Sequence, residues 1–123
     1  MRERYQSGKM IVNFKNVDCV EVVKKDDVYE LYYLYKPKIK TEKVKLLKTF
    51  TDVALMRKYF GNMNFYSLGN YFINVDNFEI IEELEHDDDK KTQTVKIYMK
   101  NTQPITVTLD RTTWQSFKNT RMA

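Results

Sequence analysis

One cysteine, one histidine, two prolines and three glycines are all that the 123 residues contain of those types. No stretch approaches the ~18 consecutive apolar residues of a membrane-spanning helix. Each scarcity excludes something. The single thiol, Cys19, excludes an intramolecular disulfide framework and any Cys-x-x-Cys pair. Its setting in Val17-Asp18-Cys19-Val20, an apparent strand among apolar neighbours, predicts a buried, inert thiol. The lone His86 leaves no workable Ser-His-Asp set, and the few glycines form no phosphate-cradling loop. Little Pro and Gly also argues against a disordered or low-complexity chain. The first residues, Met1-Arg2-Glu3-Arg4-Tyr5-Gln6-Ser7-Gly8-Lys9, are polar and lack the apolar stretch of a secretory signal. The expected location is the cytoplasm, or a nucleus sharing its redox state.

What is present describes an ordinary globular chain, 42% apolar and 31% charged, long enough to fold as a single compact domain over residues 1–123 without staples. The net charge of +4 is unevenly placed. Residues 1–61 hold 14 Lys+Arg against 8 Asp+Glu, whereas residues 62–123 hold 7 against 9. A basic half favours a polyanionic partner through summed Coulomb attraction.

An internal match sets the expected architecture. Val12-Asn13-Phe14-Lys15-Asn16-Val17-Asp18-Cys19-Val20-Glu21 lies without a gap on Ile73-Asn74-Val75-Asp76-Asn77-Phe78-Glu79-Ile80-Ile81-Glu82. Paired asparagines three apart suit a tight corner, because their short amides bond nearby backbone groups. Each corner leads into a hairpin rich in β-branched and aromatic residues, turning at 25–27 in one half and 86–91 in the other. A fourth strand follows, over 44–50 and 105–109. Thr51 or Asp52 then caps a helix carrying Val53, Leu55, Met56, Tyr59 and Phe60, stopped at Gly61-Asn62, and Asp110 caps one carrying Trp114 and Phe117. Residues 63–68 add a strand entering the second half. The predicted class is α+β: two diverged β-β-β-β-α units, about 9–62 and 63–120, forming antiparallel sheets with the short helices packed on one face.

Candidate chemistry is sparse. Glu85-His86-Asp87-Asp88-Asp89 places imidazole and carboxylates together at a hairpin tip, but without calcium-loop spacing it reads as a solvated turn rather than a metal site. Glu82 and Glu83 are strand neighbours pointing to opposite faces, unsuited to joint acid-base work. Neither an enzymatic activity nor a cofactor is predicted. The basic run carries Lys36, Lys38, Lys40, Lys43, Lys45 and Lys48 on an extended connection, suited either to solubilising an edge or to tracking phosphates. Alternation places Leu31, Tyr33 and Tyr35, like Val95, Ile97 and Met99, toward the helix-covered core. Glu30, Tyr32, Leu34 and Lys36, and likewise Thr94, Lys96, Tyr98 and Lys100, then fall on an open face shared by both halves. Rings beside ammonium groups suit single-stranded nucleic acid, each base offering ~1 to 3 kcal/mol of stacking; the same tyrosines equally suit packing between the halves.

This paired strand-strand-strand-strand-helix order with a basic, aromatic open face resembles the Whirly, Pur-alpha and positive-cofactor-type coactivator families. The resemblance covers element order along nearly the whole chain and implies single-stranded DNA binding. Residues 65–77, Phe65-Tyr66-Ser67-Leu68-Gly69-Asn70-Tyr71-Phe72-Ile73-Asn74-Val75-Asp76-Asn77, are also similar to the LytTR DNA-binding type, though without its upstream Arg and His. The leading expectation is a non-enzymatic nucleic-acid binder using Tyr32, Lys36, Lys38, Lys40, Lys43, Lys45, Lys96, Tyr98 and Lys100. The alternative is a protein-interaction module of the kind small phage or mobile-element proteins supply to modulate a host factor. Its recognition arm is acidic, with Glu79, Glu82, Glu83, Glu85, Asp87, Asp88 and Asp89. Exposed sheet edges would also suit a homodimer, although an internal duplication already supplies such symmetry.

Overall fold

The computed structural model describes residues 4–35 and 42–121, which form ten strands and two helices in an α+β arrangement. In chain order these are β1 (Arg4–Ser7), β2 (Met10–Asn13), β3 (Cys19–Lys25), β4 (Val28–Tyr35), β5 (Glu42–Phe50), α1 (Val53–Gly61), β6 (Phe65–Leu68), β7 (Tyr71–Asn74), β8 (Phe78–Asp87), β9 (Thr92–Met99), β10 (Ile105–Asp110) and α2 (Arg111–Arg121). All pairings are antiparallel: a hairpin β1-β2, a five-stranded sheet in the order β5-β4-β3-β7-β6, and a three-stranded sheet in the order β10-β9-β8.

Strand β1 was not expected. Its residues, Arg4-Tyr5-Gln6-Ser7, offer one ring and no apolar run, and a hairpin partner makes them a strand. Gly8 at φ +61° turns the chain so that Tyr5 pairs Val12 and Ser7 pairs Met10. The Ser7 hydroxyl then accepts from the Leu47 backbone N–H at 2.9 Å, tying this hairpin to β5. Gly69 at φ +62° makes the matching turn between β6 and β7. Both asparagine corners also act as expected locally: Asn13 Oδ1 accepts from Lys15 N at 3.2 Å and opens a single 3₁₀ turn, and Asn74 Oδ1 accepts from Asp76 N at 3.0 Å.

The element order of the first half recurs in the second, but the sheets are not divided between the halves. Hairpin β6-β7 leaves its own half and joins β3, pairing Cys19 with Ile73, Val20 with Phe72 and Glu21 with Tyr71. The reason lies in the hairpin's two apolar faces. Phe65 and Phe72 are buried in the first core, where Phe72 stacks on Phe60 with centroids 4.5 Å apart, while Leu68 and Ile73 are buried in the second. Hairpin β1-β2 carries Arg4, Gln6 and Ile11 on its outer face and leaves them exposed.

Two apolar clusters result. The first joins Val12, Phe14, Val20, Leu31 and Leu46 to Met56 and Phe60 of α1. The second joins Cys19, Leu34, Leu68 and Ile73 of the large sheet to Val95, Ile97, Val107 and Leu109 of the small one, with Trp114 and Phe117 of α2. The helices thus serve different clusters and do not roof one continuous face. Asp52 caps α1, its carboxylate accepting from Ala54 N at 2.8 Å. Leu55, expected among the buried residues of that helix, points to solvent. The left-handed residue that turns the chain beyond α1 is Asn64, at φ +64°, and neither Gly61 nor Asn62.

The Asn corners also lock the two clusters together. Asn74 Nδ2 donates to the carbonyls of Phe14, Lys15 and Val17 at 3.3, 3.3 and 2.9 Å. The buried Asp18 carboxylate accepts from Asn101 N, Asn101 Nδ2 and Thr102 Oγ1 at 2.7, 2.9 and 3.1 Å, and from Asn77 Nδ2 at 3.4 Å. Among the described residues no buried side-chain nitrogen or oxygen of these corners is left without a partner, as burial requires.

Candidate binding surfaces

On β9 the predicted alternation holds. Gln93, Val95, Ile97 and Met99 face inward, and Thr94, Lys96 and Tyr98 face outward. Cross-strand partners extend that outer face: Thr106 lies opposite Lys96, Thr108 opposite Thr94, and Ile80 opposite Tyr98. The Lys96 ammonium sits 5.2 Å from the centroid of the Tyr98 ring, whose hydroxyl donates to Glu82 at 3.3 Å. Lys100, just past the strand, is exposed.

The first half differs. Tyr32 lies on the five-stranded sheet, half-buried, and its hydroxyl donates to Glu30 at 3.2 Å. Tyr32 and Tyr98 therefore stand on separate sheets, so the single shared face expected from alternation does not exist. Leu34, expected on that face, is only 6% exposed because the three-stranded sheet covers it. Leu31 and Tyr33 do turn toward the α1 side.

The charges of Lys43 and Lys45 are already engaged. Lys43 Nζ lies 2.6 Å from Glu21 Oε1, which meets no other donor among the described residues, and Lys45 Nζ lies 2.9 Å from Glu30 Oε2. Lys25 reaches the same Glu30 at 3.6 Å. The Glu21 and Glu30 carboxylates hold the Lys43 and Lys45 ammonium groups above the usual lysine range, and Lys45 in turn holds Glu30 below the usual carboxylate range. These lysines neutralise their own sheet before they could neutralise a phosphate. Lys36, Lys38 and Lys40 lie outside the described residues.

The acidic residues gather on one strand and its turn. β8 is ten residues long, pairs among the described residues with β9 alone, and exposes Glu79, Glu82, Glu83, Glu85 and Asp87. Asp87 shapes the turn by accepting from Asp89 N and Lys90 N at 3.0 and 3.1 Å, and Asp88 pairs with Arg111 at 2.9 Å. His86 Nε2 lies 3.7 Å from Asp88, and no group of three metal-ligating side chains occurs among the described residues. Glu82 and Glu83 diverge as expected: Tyr98 holds the first on the outer face, and the indole N–H of Trp114 donates to the second at 2.7 Å. That hydrogen bond, aided by the Lys118 ammonium at 3.5 Å, holds the Glu83 carboxyl below its ordinary range.

Two residues of this arm escaped sequence reasoning, Ile80 and Leu84, which are 61% and 45% exposed. For Ile80 a signal existed. Ile80-Ile81 are strand neighbours, so only one of them can face inward. Elsewhere, a cleft of about 720 Å³ is lined by residues that include Arg57, Tyr66, Ser67, Asp110, Thr112, Thr113 and Ser116. Among the described residues no helix is long and apolar enough to cross a membrane.

No protein-family model matches the chain, and neither a curated protein nor a solved structure shows significant similarity to it.

Proposed function

We propose that the chain is a non-enzymatic interaction module that recognises a protein through the acidic arm formed by β8 and its turn to β9. The observation that carries this reading is β8 itself. A ten-residue strand with one edge unpaired among the described residues exposes five carboxylates beside Ile80 and Leu84, a mixture that suits a basic, partly apolar protein surface. The engagement of Lys43 and Lys45 by Glu21 and Glu30 weighs against the phosphate-tracking role first expected of them. Affinity capture from nuclease-treated lysate tests the proposal: a stoichiometric protein partner is expected, lost when Glu79, Glu82 and Glu85 become Gln. A partner that survives those substitutions, or vanishes with nuclease, contradicts it.

A second reading, single-stranded nucleic acid on the outer face of the three-stranded sheet, is favoured by the Lys96–Tyr98 pair and the nearby Lys100. Fluorescence anisotropy with oligonucleotides across a salt series tests it. Binding that weakens with salt and with Tyr98→Ala supports it, and no binding at low salt removes it.

A further inference from the structure

The edge of β8 that no strand takes among the described residues corresponds in sequence spacing to one that the same chain fills elsewhere. β3 leaves its asparagine corner with β4 on one side and β7 on the other. The added strand is held by Val22 N donating to Asn70 O and Asn74 N donating to Asp18 O, both at 2.8 Å. By sequence spacing β8 follows the second corner as β3 follows the first, although its register on β9 shifts between Phe78 and Ile80 and between Glu83 and His86, where β3 pairs β4 without a shift. Glu79 stands as far beyond Asn77 as Asp18 stands beyond Asn16, and Glu83 as far as Val22. Yet among the described residues only β9 pairs with it. The main-chain groups that β3 uses to hold a third strand thus have counterparts in spacing on β8, where no third strand pairs among the described residues.

An open edge of this length is a template for strand addition, and side chains decide which strand can use it. Within β8 there are five carboxylates and no Lys or Arg. A second copy of β8 laid antiparallel on the first would set like charges against each other, which is unfavourable. Ile80 and Leu84 offer apolar contact between the carboxylates. Resting on the protein-partner reading above, we infer that β8 accepts an extended basic segment of the partner, alternating Lys or Arg with apolar residues, as an added strand. Backbone hydrogen bonds then supply the geometry, and the carboxylates select the charge.

The probe is the peptide acetyl-Lys-Val-Lys-Val-Lys-Val-Lys-amide, compared with the same peptide methylated on every backbone nitrogen. The two share side chains and charge, but only the first can donate backbone hydrogen bonds. Binding is followed by anisotropy and by residue-resolved amide exchange of the full chain. The inference predicts that the unmethylated peptide slows exchange at Ile81 and Glu83 and binds roughly tenfold or more tightly than its methylated counterpart, since several hydrogen bonds separate them. Equal affinities with unchanged exchange overturn strand addition while leaving charge recognition by the acidic arm in place. Absence of binding by either peptide counts against both. Concentration-dependent protection of β8 without peptide overturns the inference by giving the edge to a second copy of the chain.

Discussion

Replacing Asp18 by alanine removes the acceptor around which the two apolar clusters are joined. The carboxylate is 1% exposed and receives Asn101 N, Asn101 Nδ2, Thr102 Oγ1 and Asn77 Nδ2. Asn101 is exposed, so its side-chain amide recovers water when the acceptor is lost, and the buried Asn77 Nδ2 keeps the Lys15 carbonyl at 3.3 Å; the buried Thr102 hydroxyl loses its acceptor. Each buried donor left without a partner costs ~1–3 kcal/mol, and bonds to a charged acceptor lie at the upper end. Allowing for non-additivity among neighbours, Asp18→Ala is expected to lose about 2–4 kcal/mol. For a chain of this size the midpoint of thermal unfolding should fall by roughly 6–20 °C. Asp18→Asn keeps one oxygen, and the Thr102 hydroxyl can turn to accept from the new amide, so its loss should be about half as large. Urea unfolding followed by Trp114 fluorescence, with calorimetry as a second probe, measures both variants. An alanine variant within ~1 kcal/mol of the parent would refute the reasoning, because a loss that small fits only a solvated carboxylate.

The other predictions concern single positions. Gly69→Ala should destabilise by about 2–4 kcal/mol, since φ is +62° and a Cβ would lie 2.8 Å from Val107 Cγ1. Gly8→Ala, at φ +61° with its nearest atom at 3.7 Å, should cost only about 1 kcal/mol, and equal urea midpoints for the two variants contradict this. Cys19 is fully buried, and burial foremost, then the Asp18 and Glu21 carboxylates, pushes its thiol well above the usual range. A thiol reagent should therefore modify it only at the rate of unfolding; modification within seconds of mixing in native buffer would contradict its placement. The folded-state pKa of Glu83 is depressed, chiefly by the Trp114 indole N–H. Its contribution to stability is then full above the ordinary carboxylate pKa and disappears as pH falls through the lower folded value. The parent should accordingly lose its advantage over Glu83→Gln only on the acid side of about pH 4, and unfolding curves that stay parallel at every pH count against this.

Much of the fold was legible because its signals are local. The corners at Asn13 and Asn74 bond to the backbone two residues on, and β9 keeps strict alternation from Gln93 to Met99. Both helices fall where the caps and apolar spacing place them. What escaped was non-local. Strand β1 exists only because β2 pairs with it. Leu34 is buried because the second sheet covers its outer side, and the β4 register shifts between Glu30 and Tyr32, which no alternation rule anticipates. Lys43 and Lys45, read as free cations, are matched to Glu21 and Glu30 on other strands, a pairing that appears only once strand order is known. Likewise the acidic character of β8 was plain in the sequence, but nothing local said that its second edge would take no strand among the described residues while that of β3 is filled.

Residue-resolved amide hydrogen exchange of the free chain, at a concentration where it is monomeric, tests the openness of β8 most directly. The account predicts alternating behaviour along Ile80 to Glu83, where the register on β9 is regular: amides bonded to β9 exchange slowly, and those on the other edge exchange nearly as fast as in an unfolded chain. Slow exchange at every one of these positions would contradict it, because the edge offered to a partner strand would already be taken.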